Sequence, residues 1–422
     1  MYVPPRTCTV RTVPYIRTVC IMTRPLDVAL VGATGFTGRL VARYFADTIA
    51  KRLPNLRWAI VGRDQKKLTA LADSLSIGPS DIIVTSNAEG IDRAASSSRV
   101  ALSTAGPFAL YGTPLVEACV RNGTSYVDIN GEIGWHREMI DRFDKAARAA
   151  DATLVPSCGF DSIPSDLGAQ WMAERLGGNA RRIRCYAALR GGFSGGTVAS
   201  GINSELQHGS LLSDPFLLGG VRAGGPRAED ADPPAAAAYD ELIGAHVAPF
   251  GMAVINTRIV RRTVGLLESR GFPHPTCRAF ARDFQYSEVA LAPDEASAAK
   301  MARAASAPAA KLKELVESGR LPRPGEGPTE EERASNWFKF TLIAEGGAEG
   351  MERATRLKGI ISGGDPGYSE TAKMVAESAV LLATEGPTDP AARGFQTPAS
   401  ALGRPLRERL HREGILFEAT DE

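Results

Sequence analysis

The feature that most constrains this chain is Gly32-Ala33-Thr34-Gly35-Phe36-Thr37-Gly38, which follows the apolar run LDVALV and precedes a segment of helical periodicity. In a strand–turn–helix context each glycine has a separate reason to be there. Gly32 allows the tight turn, Gly35 removes a Cβ from the path of an approaching diphosphate, and Gly38 lets the helix pack close on the strand. The free N–H groups and the dipole of the opening helix then favour an anion. The alternative reading is a glycine-rich turn that holds no ligand.

The text after this turn alternates strand and helix signals. Short apolar runs at 26–32, 57–64, 81–85, 100–106, 125–130 and 153–159 are separated by helical patterns at 39–53, 66–75, 114–123 and 139–152. Such spacing predicts βαβ units and a parallel sheet, so the expected class is α/β, with a Rossmann-type doubly wound domain over 25–180. The second strand ends Val61-Gly62-Arg63-Asp64. An acid at that tip suits a ribose 2′-hydroxyl, whereas arginine suits a 2′-phosphate. Arg63 therefore favours NADP(H), Asp64 argues the other way, and a solvated surface arginine is the bland alternative. At the end of the fourth strand, Ala105-Gly106-Pro107 are small enough to let a cofactor lie across the edge, or are a plain turn.

From 181 the texture changes. Segments at 183–190, 254–267, 284–291, 338–346 and 353–361 carry β-branched and aromatic residues in partial alternation. They predict an inserted α+β domain over 181–362 with a mixed or antiparallel sheet that holds the substrate. Linker-like stretches lie at 223–238 and 318–332, and the segment 363–422 is expected to return to the first domain through the helix at 370–385.

Composition removes several function classes. With 422 residues, a net charge of +1 and 23% charged residues, the chain shows no electrostatic footprint for nucleic acid. The 6 cysteines and 5 histidines show no metal spacing. No apolar run is long enough to predict a membrane span; the nearest, 235–255, is broken by Asp240, Glu241 and His246. Residues 1–24 hold four arginines and no acid, as a targeting peptide does, but Pro4, Pro5 and Pro14 oppose an amphipathic helix. A start at Met22 is an equal reading, and the segment is treated as an unstructured or targeting extension.

Three residues are candidates for proton transfer. Tyr111 lies just past the fourth strand, with ring packing as its alternative role. Asp161 and Ser162 lie past the sixth strand at the same edge; Ser162 is equally placed to cap a helix entered through Ile163-Pro164. Asp128 and Glu132 suit loop fixing or a surface role better than catalysis. Cys158 has no basic partner, so it reads as inert. The second glycine-rich loop, 191–197, allows close backbone approach to a substrate or is a flexible turn.

At these residues the chain resembles the saccharopine dehydrogenase-like oxidoreductases, in the branch of the trans-acting enoyl reductases. The resemblance is carried by GATGFTGRLVARYF (32–45), WAIVGRDQKKL (58–68), AGPFALYGTPLVEACVRNGTSYVDINGE (105–132) and PSCGFDSIPSDLG (156–168), then GGFSGGTVAS (191–200), DPFLLG (214–219) and SGGDPGYSETAKMVAESA (362–379). It covers roughly 26–418. It implies an NADP(H)-dependent oxidoreductase that reduces double bonds in lipid- or polyketide-like precursors. For partners it implies a lipid-like small molecule and peripheral contact with a membrane or lipid droplet; a homodimer is a separate expectation. For location it implies the cytoplasm, a lipid droplet or the mitochondrion. Two other expectations stand beside it: a low-turnover NADP-binding protein at a lipid surface, and an amino-acid oxidoreductase of the saccharopine type. The last needs basic residues in the substrate cavity, and no arginine cluster is evident for it.

Overall fold

The computed structural model describes residues 24–421 apart from 77, 86, 179, 193, 221–224, 233–235, 271–279, 306–308, 324 and 347–354. The first part of the chain forms strands β1 (Leu26–Val31), β2 (Trp58–Gly62), β3 (Asp81–Val84), β4 (Ser98–Ser103), β5 (Ser125–Asp128) and β6 (Thr153–Val155). The second part forms β7 (Ala180–Arg190), β8 (Ala238–Asp240), β9 (Ala245–Pro249), β10 (Phe280–Ala292), β11 (Trp337–Gly346) and β12 (Thr355–Gly363). Two late strands, β13 (Gly394–Phe395) and β14 (Leu416–Asp421), complete one sheet each.

The first sheet has the order β13-β6-β5-β4-β1-β2-β3, and every pairing in it is parallel. This is the doubly wound α/β arrangement. Its central strands are buried on both faces, which explains their continuous apolar text: all five residues of Trp58–Gly62 are buried. The second sheet has the order β14-β12-β11-β7-β10-β9-β8 and is mixed, since β7 and β10 run parallel while the remaining pairs are antiparallel.

Two helices join the sheets into one core. Helix Thr371–Thr384 is apolar on nearly every side, and it packs on β1, β4 and β5 and against helix Phe36–Tyr44. Helix Ile163–Arg175 is buried along most of its length and backs β7, β11 and β12. The C-terminal segment thus returns to the first sheet, but its last strand does not stay there: β14 pairs with β12 in the second sheet.

The structure departs from the sequence reading at two further places. The stretch 254–267, expected as a strand, lies in helix Ala253–Ser269. Its β-branched content suggested a sheet, yet Arg258, Arg261 and Arg262 are spaced to fall on one helical side. There their guanidinium nitrogens donate to main-chain carbonyls: Arg258 to Leu212 and Asp214, Arg261 to Pro215 and Asp230, Arg262 to Leu218 and Phe395. The second departure is at the N-terminal boundary. Residues 1–23 of the expected extension lie outside the described residues, but Arg24 is fastened to the first unit through the carbonyls of Ser98 and Asn122, at 2.5 Å each. Of the linker-like stretches, 223–224, 233–235 and 324 lie outside the described residues. The stretch 318–332 runs into the short helix Glu330–Ser335, opened by a capping box between Thr329 and Glu332. No helix among the described residues is long and apolar enough to cross a membrane.

Arg258 is fully buried and also pairs with Asp232. Arg258→Met leaves that carboxylate and two carbonyls without a donor, so urea unfolding is expected to show a loss of about 3 kcal/mol.

Candidate functional site

In a parallel sheet the loops that leave the carboxyl ends of the strands meet at one rim. The turn 32–38 after β1 opens there. Gly32 has φ +83°, a conformation glycine adopts without strain. A Cβ on Gly32 would lie 3.0 Å from both Ala105 N and Thr104 Oγ1, so the turn and the β4 loop touch. Thr104 reinforces this contact, with its hydroxyl 3.2 Å from the carbonyls of Val31 and Gly32. At Gly38 a Cβ would sit 2.1 Å from Gly32 O, so the helix can approach the turn only without a side chain. Helix Phe36–Tyr44 then begins with the N–H groups of Phe36, Thr37 and Gly38, which have no acceptor among the described residues. Ala33 and Thr34 complete the turn, where Gly35 N–H closes onto Gly32 O at 3.0 Å. These amides fit a diphosphate, and the fit rests on donors and space rather than on the motif alone.

At the tip of β2 the side chains of Arg63 and Asp64 are engaged differently. Asp64 caps helix Gln65–Asp73, accepting from Lys67 N at 3.1 Å, so its carboxylate is already engaged. Arg63 is exposed and has no carboxylate partner among the described residues; its guanidinium carbon lies 5.9 Å from the centre of the Tyr111 ring. Tyr111 is 56% exposed. The structure therefore places Tyr111 beside β2. Strands β2 and β6 are four places apart in the sheet, and no contact joins Tyr111 to Asp161 among the described residues.

On the β5 and β6 side, buried carboxylates hold the loops. Glu132 accepts from Phe108 N at 2.7 Å and Ala109 N at 3.0 Å, which fixes the chain just past Gly106 and Pro107. Asp128 accepts from Tyr126 Oη, Asn130 N and Ser157 N at 2.8–2.9 Å. Burial pushes its carboxyl up to about 7, against the pull of these donors. Cys158 is buried, and loss of solvent raises its thiol well above the usual range, so it is a poor nucleophile.

Asp161 behaves differently from these framework acids. Its side chain keeps some solvent contact and has no hydrogen-bond donor among the described residues. Loss of water around it pushes the carboxyl up to about 6. A Cβ on Gly131 would lie 3.4 Å from Asp161 Oδ2 and 3.3 Å from Ile255 Cδ1, so a glycine floor and an apolar wall flank the acid. The wall continues through Val254, Leu212 and the buried Leu217 and Ile259. Ser162 stands at the N-cap of helix Ile163–Arg175, but its hydroxyl makes no capping bond; it reaches Asn256 Oδ1 at 3.4 Å.

The second unit closes over this rim. Helix Gly195–His208 brings Ser200 Oγ to 3.5 Å from where a Gly106 Cβ would be. Tyr368 was not singled out as a site residue by sequence reasoning, because it follows no strand of the first sheet. Its hydroxyl accepts from Ser194 N and lies 3.1 Å from Thr197 Oγ1, while its ring meets Phe36 edge-on at 5.0 Å. The Asp161 charge reaches it and helps raise its phenol above the ordinary value, after the larger effect of burial.

Residues 28–155 match the saccharopine dehydrogenase NADP binding domain. Over 94% of this chain and 98% of its own length, a trans-acting enoyl reductase of Mycobacterium ulcerans is 30% identical. The chain belongs to the saccharopine dehydrogenase family, in its trans-acting enoyl reductase branch. The Mycobacterium tuberculosis protein Rv2449c is 32% identical over the same shares of the two chains. Among solved structures, saccharopine dehydrogenase of Saccharomyces cerevisiae is similar over 94% of this chain and 100% of its own, at 13% identity and a TM-score of 0.49. This family member is thus an NADP-dependent oxidoreductase with a Rossmann-type first sheet.

Glu132 gives this site its testable framework. Glu132→Ala leaves the buried Phe108 N–H and the half-buried Ala109 N–H without an acceptor, and urea unfolding is expected to show a loss of about 2 kcal/mol. Glu132→Gln retains one acceptor oxygen and is expected to lose less.

Proposed function

We propose that this enzyme uses NADPH to reduce a carbon–carbon double bond in a lipid- or polyketide-like precursor, with Asp161 as the proton donor. The observation that carries the reading is a carboxyl without a hydrogen-bond partner, held near neutrality on the same rim as the unpaired amides of Phe36–Gly38. Relatives named trans-acting enoyl reductase support the reaction type.

In this arrangement the amides of the turn bind the diphosphate, and Ala105, Gly106 and Pro107 give the cofactor a path across β4. Arg63 pairs with the 2′-phosphate, which favours NADP(H) over NAD(H). Tyr111, expected from sequence as a proton donor, takes a different part in this account: beside Arg63 it packs at the adenosine end. When bound, the cofactor supplies a hydride to the β-carbon of the unsaturated substrate. Asp161 gives its proton to the α-carbon, the double bond becomes single, and the carboxylate is reprotonated from solvent. A carboxyl near 6 suits this task, because the proton-bearing form is still populated near pH 7. Ser162, bonded towards Asn256, steadies the loop that carries Asp161.

The apolar wall of Val254, Ile255 and Leu212 beside Asp161 suits an acyl chain. The arginines of helix Ala253–Ser269 direct their terminal nitrogens to carbonyls and Asp232, so they are not offered to a dicarboxylate substrate. This favours an acyl substrate over an amino acid of the saccharopine type.

The test is loss of NADPH absorbance with enoyl thioesters, with saccharopine-type imines as the competing class and Gly35→Asp as the cofactor-site control. Turnover of the thioesters is expected, and its loss in Gly35→Asp. Turnover of imines alone would contradict the proposal. In the wild type, kcat/KM is expected to fall as pH rises above about 6, where Asp161 loses its proton. Asp161→Asn is expected to lower the rate 10²–10⁴-fold and to flatten that limb. Because the folded-state value lies above the unfolded one, a stability penalty sets in as pH rises past about 4 and is complete above about 6. Asp161→Asn should therefore melt higher at pH 8 than the wild type.

A further inference from the structure

The connection between β10 and β11 lies against the phosphate turn, and one contact shows how closely. A Cβ on Gly327 would sit 2.6 Å from the Phe36 ring, so the segment rests on that ring where only glycine fits. The same segment is fixed to the second unit, because Gly195 N donates to Glu326 O at 3.1 Å. Phe36 is thus held between Gly327 on one side and the edge of Tyr368 on another.

Just beyond, in helix Glu330–Ser335, Arg333 is half-buried with its guanidinium carbon 5.8 Å from the centre of the Phe36 ring. One donor, Nη1, bonds Pro328 O at 2.7 Å. The remaining nitrogens have no acceptor, and Arg333 has no carboxylate partner, among the described residues. The adjacent Glu332 is engaged in the capping box with Thr329 N. Arg39, the other cation near the ring at 6.0 Å, directs Nη1 to Thr34 O. A guanidinium with open donors therefore stands over the residue whose own N–H begins the anion-binding helix.

We propose that Arg333 binds the diphosphate of the dinucleotide, so that the second unit supplies a charge to a cofactor otherwise held by the first. This rests on the cofactor placement proposed above. The planar fork of arginine suits two phosphate oxygens, and the ring beneath it keeps the group in place.

The test is isothermal titration calorimetry with NADPH and, separately, with adenosine 2′-monophosphate, which lacks the diphosphate. The proteins are wild type, Arg333→Met, Arg333→Lys and Arg63→Ala, each checked for native melting. Arg333→Met keeps an apolar stem on Phe36 but removes the charge. It should raise the Kd for NADPH about tenfold and leave the Kd for adenosine 2′-monophosphate unchanged, and Arg333→Lys should recover part of the loss. Arg63→Ala should weaken both ligands. Wild-type affinity for NADPH in Arg333→Met overturns the inference, and so does equal weakening of both ligands. A wild-type protein that binds no NADPH sinks the cofactor placement itself.

Discussion

One close approach underlies the rest of the structure: the first long helix meets the first strand with no side chain between them. At Gly38 a Cβ would stand 2.1 Å from Gly32 O, well inside any allowed contact. With hydrogen in its place, the helix begins at Phe36 after a four-residue turn, and its first amides have no acceptor among the described residues. Gly32, at φ +83°, turns the chain so that β1 can run into that helix. The parallel order of the sheet then brings the ends of β2, β4, β5 and β6 to the same rim, which lets residues far apart in sequence act on one elongated ligand.

Around this turn the molecule uses buried carboxylates in two distinct ways. Glu132 and Asp128 are surrounded by N–H and O–H donors and serve as fasteners for the loops after β4, β5 and β6. Asp161 has no such donors, and loss of water raises its proton affinity without compensation. The contrast separates acids engaged by donors from one that is not. Both kinds occur within one short stretch of strand ends, so residue type alone does not distinguish them.

Much of this arrangement was legible in the sequence, and the parts that were not share a cause. Apolar runs bounded by glycine located the strands of the first sheet, because those strands are buried on both faces. The turn at 32–38 was legible because its glycines have steric reasons that spacing reveals. The helix at 253–269 was misread because its β-branched residues outweighed the arginine spacing at 258, 261 and 262. Arg63 and Tyr111 were each visible, but their adjacency depends on how the β4 loop folds back towards β2. Tyr368 and Arg333 reach Phe36 from distant segments, and no local pattern marks a residue that arrives by tertiary packing. Strand β14 crossed to the second sheet for a similar reason: its partner is chosen by the open edge of β12.

The central claim is that the amides opening the first long helix grip a dinucleotide diphosphate. Amide hydrogen exchange of Phe36, Thr37 and Gly38, followed by NMR with and without saturating NADPH, tests it at the atoms concerned. The account predicts that these amides exchange markedly more slowly in the complex, together with those of the neighbouring β4 loop. Binding of NADPH that leaves their exchange unchanged, with protection appearing elsewhere in the chain, would contradict it.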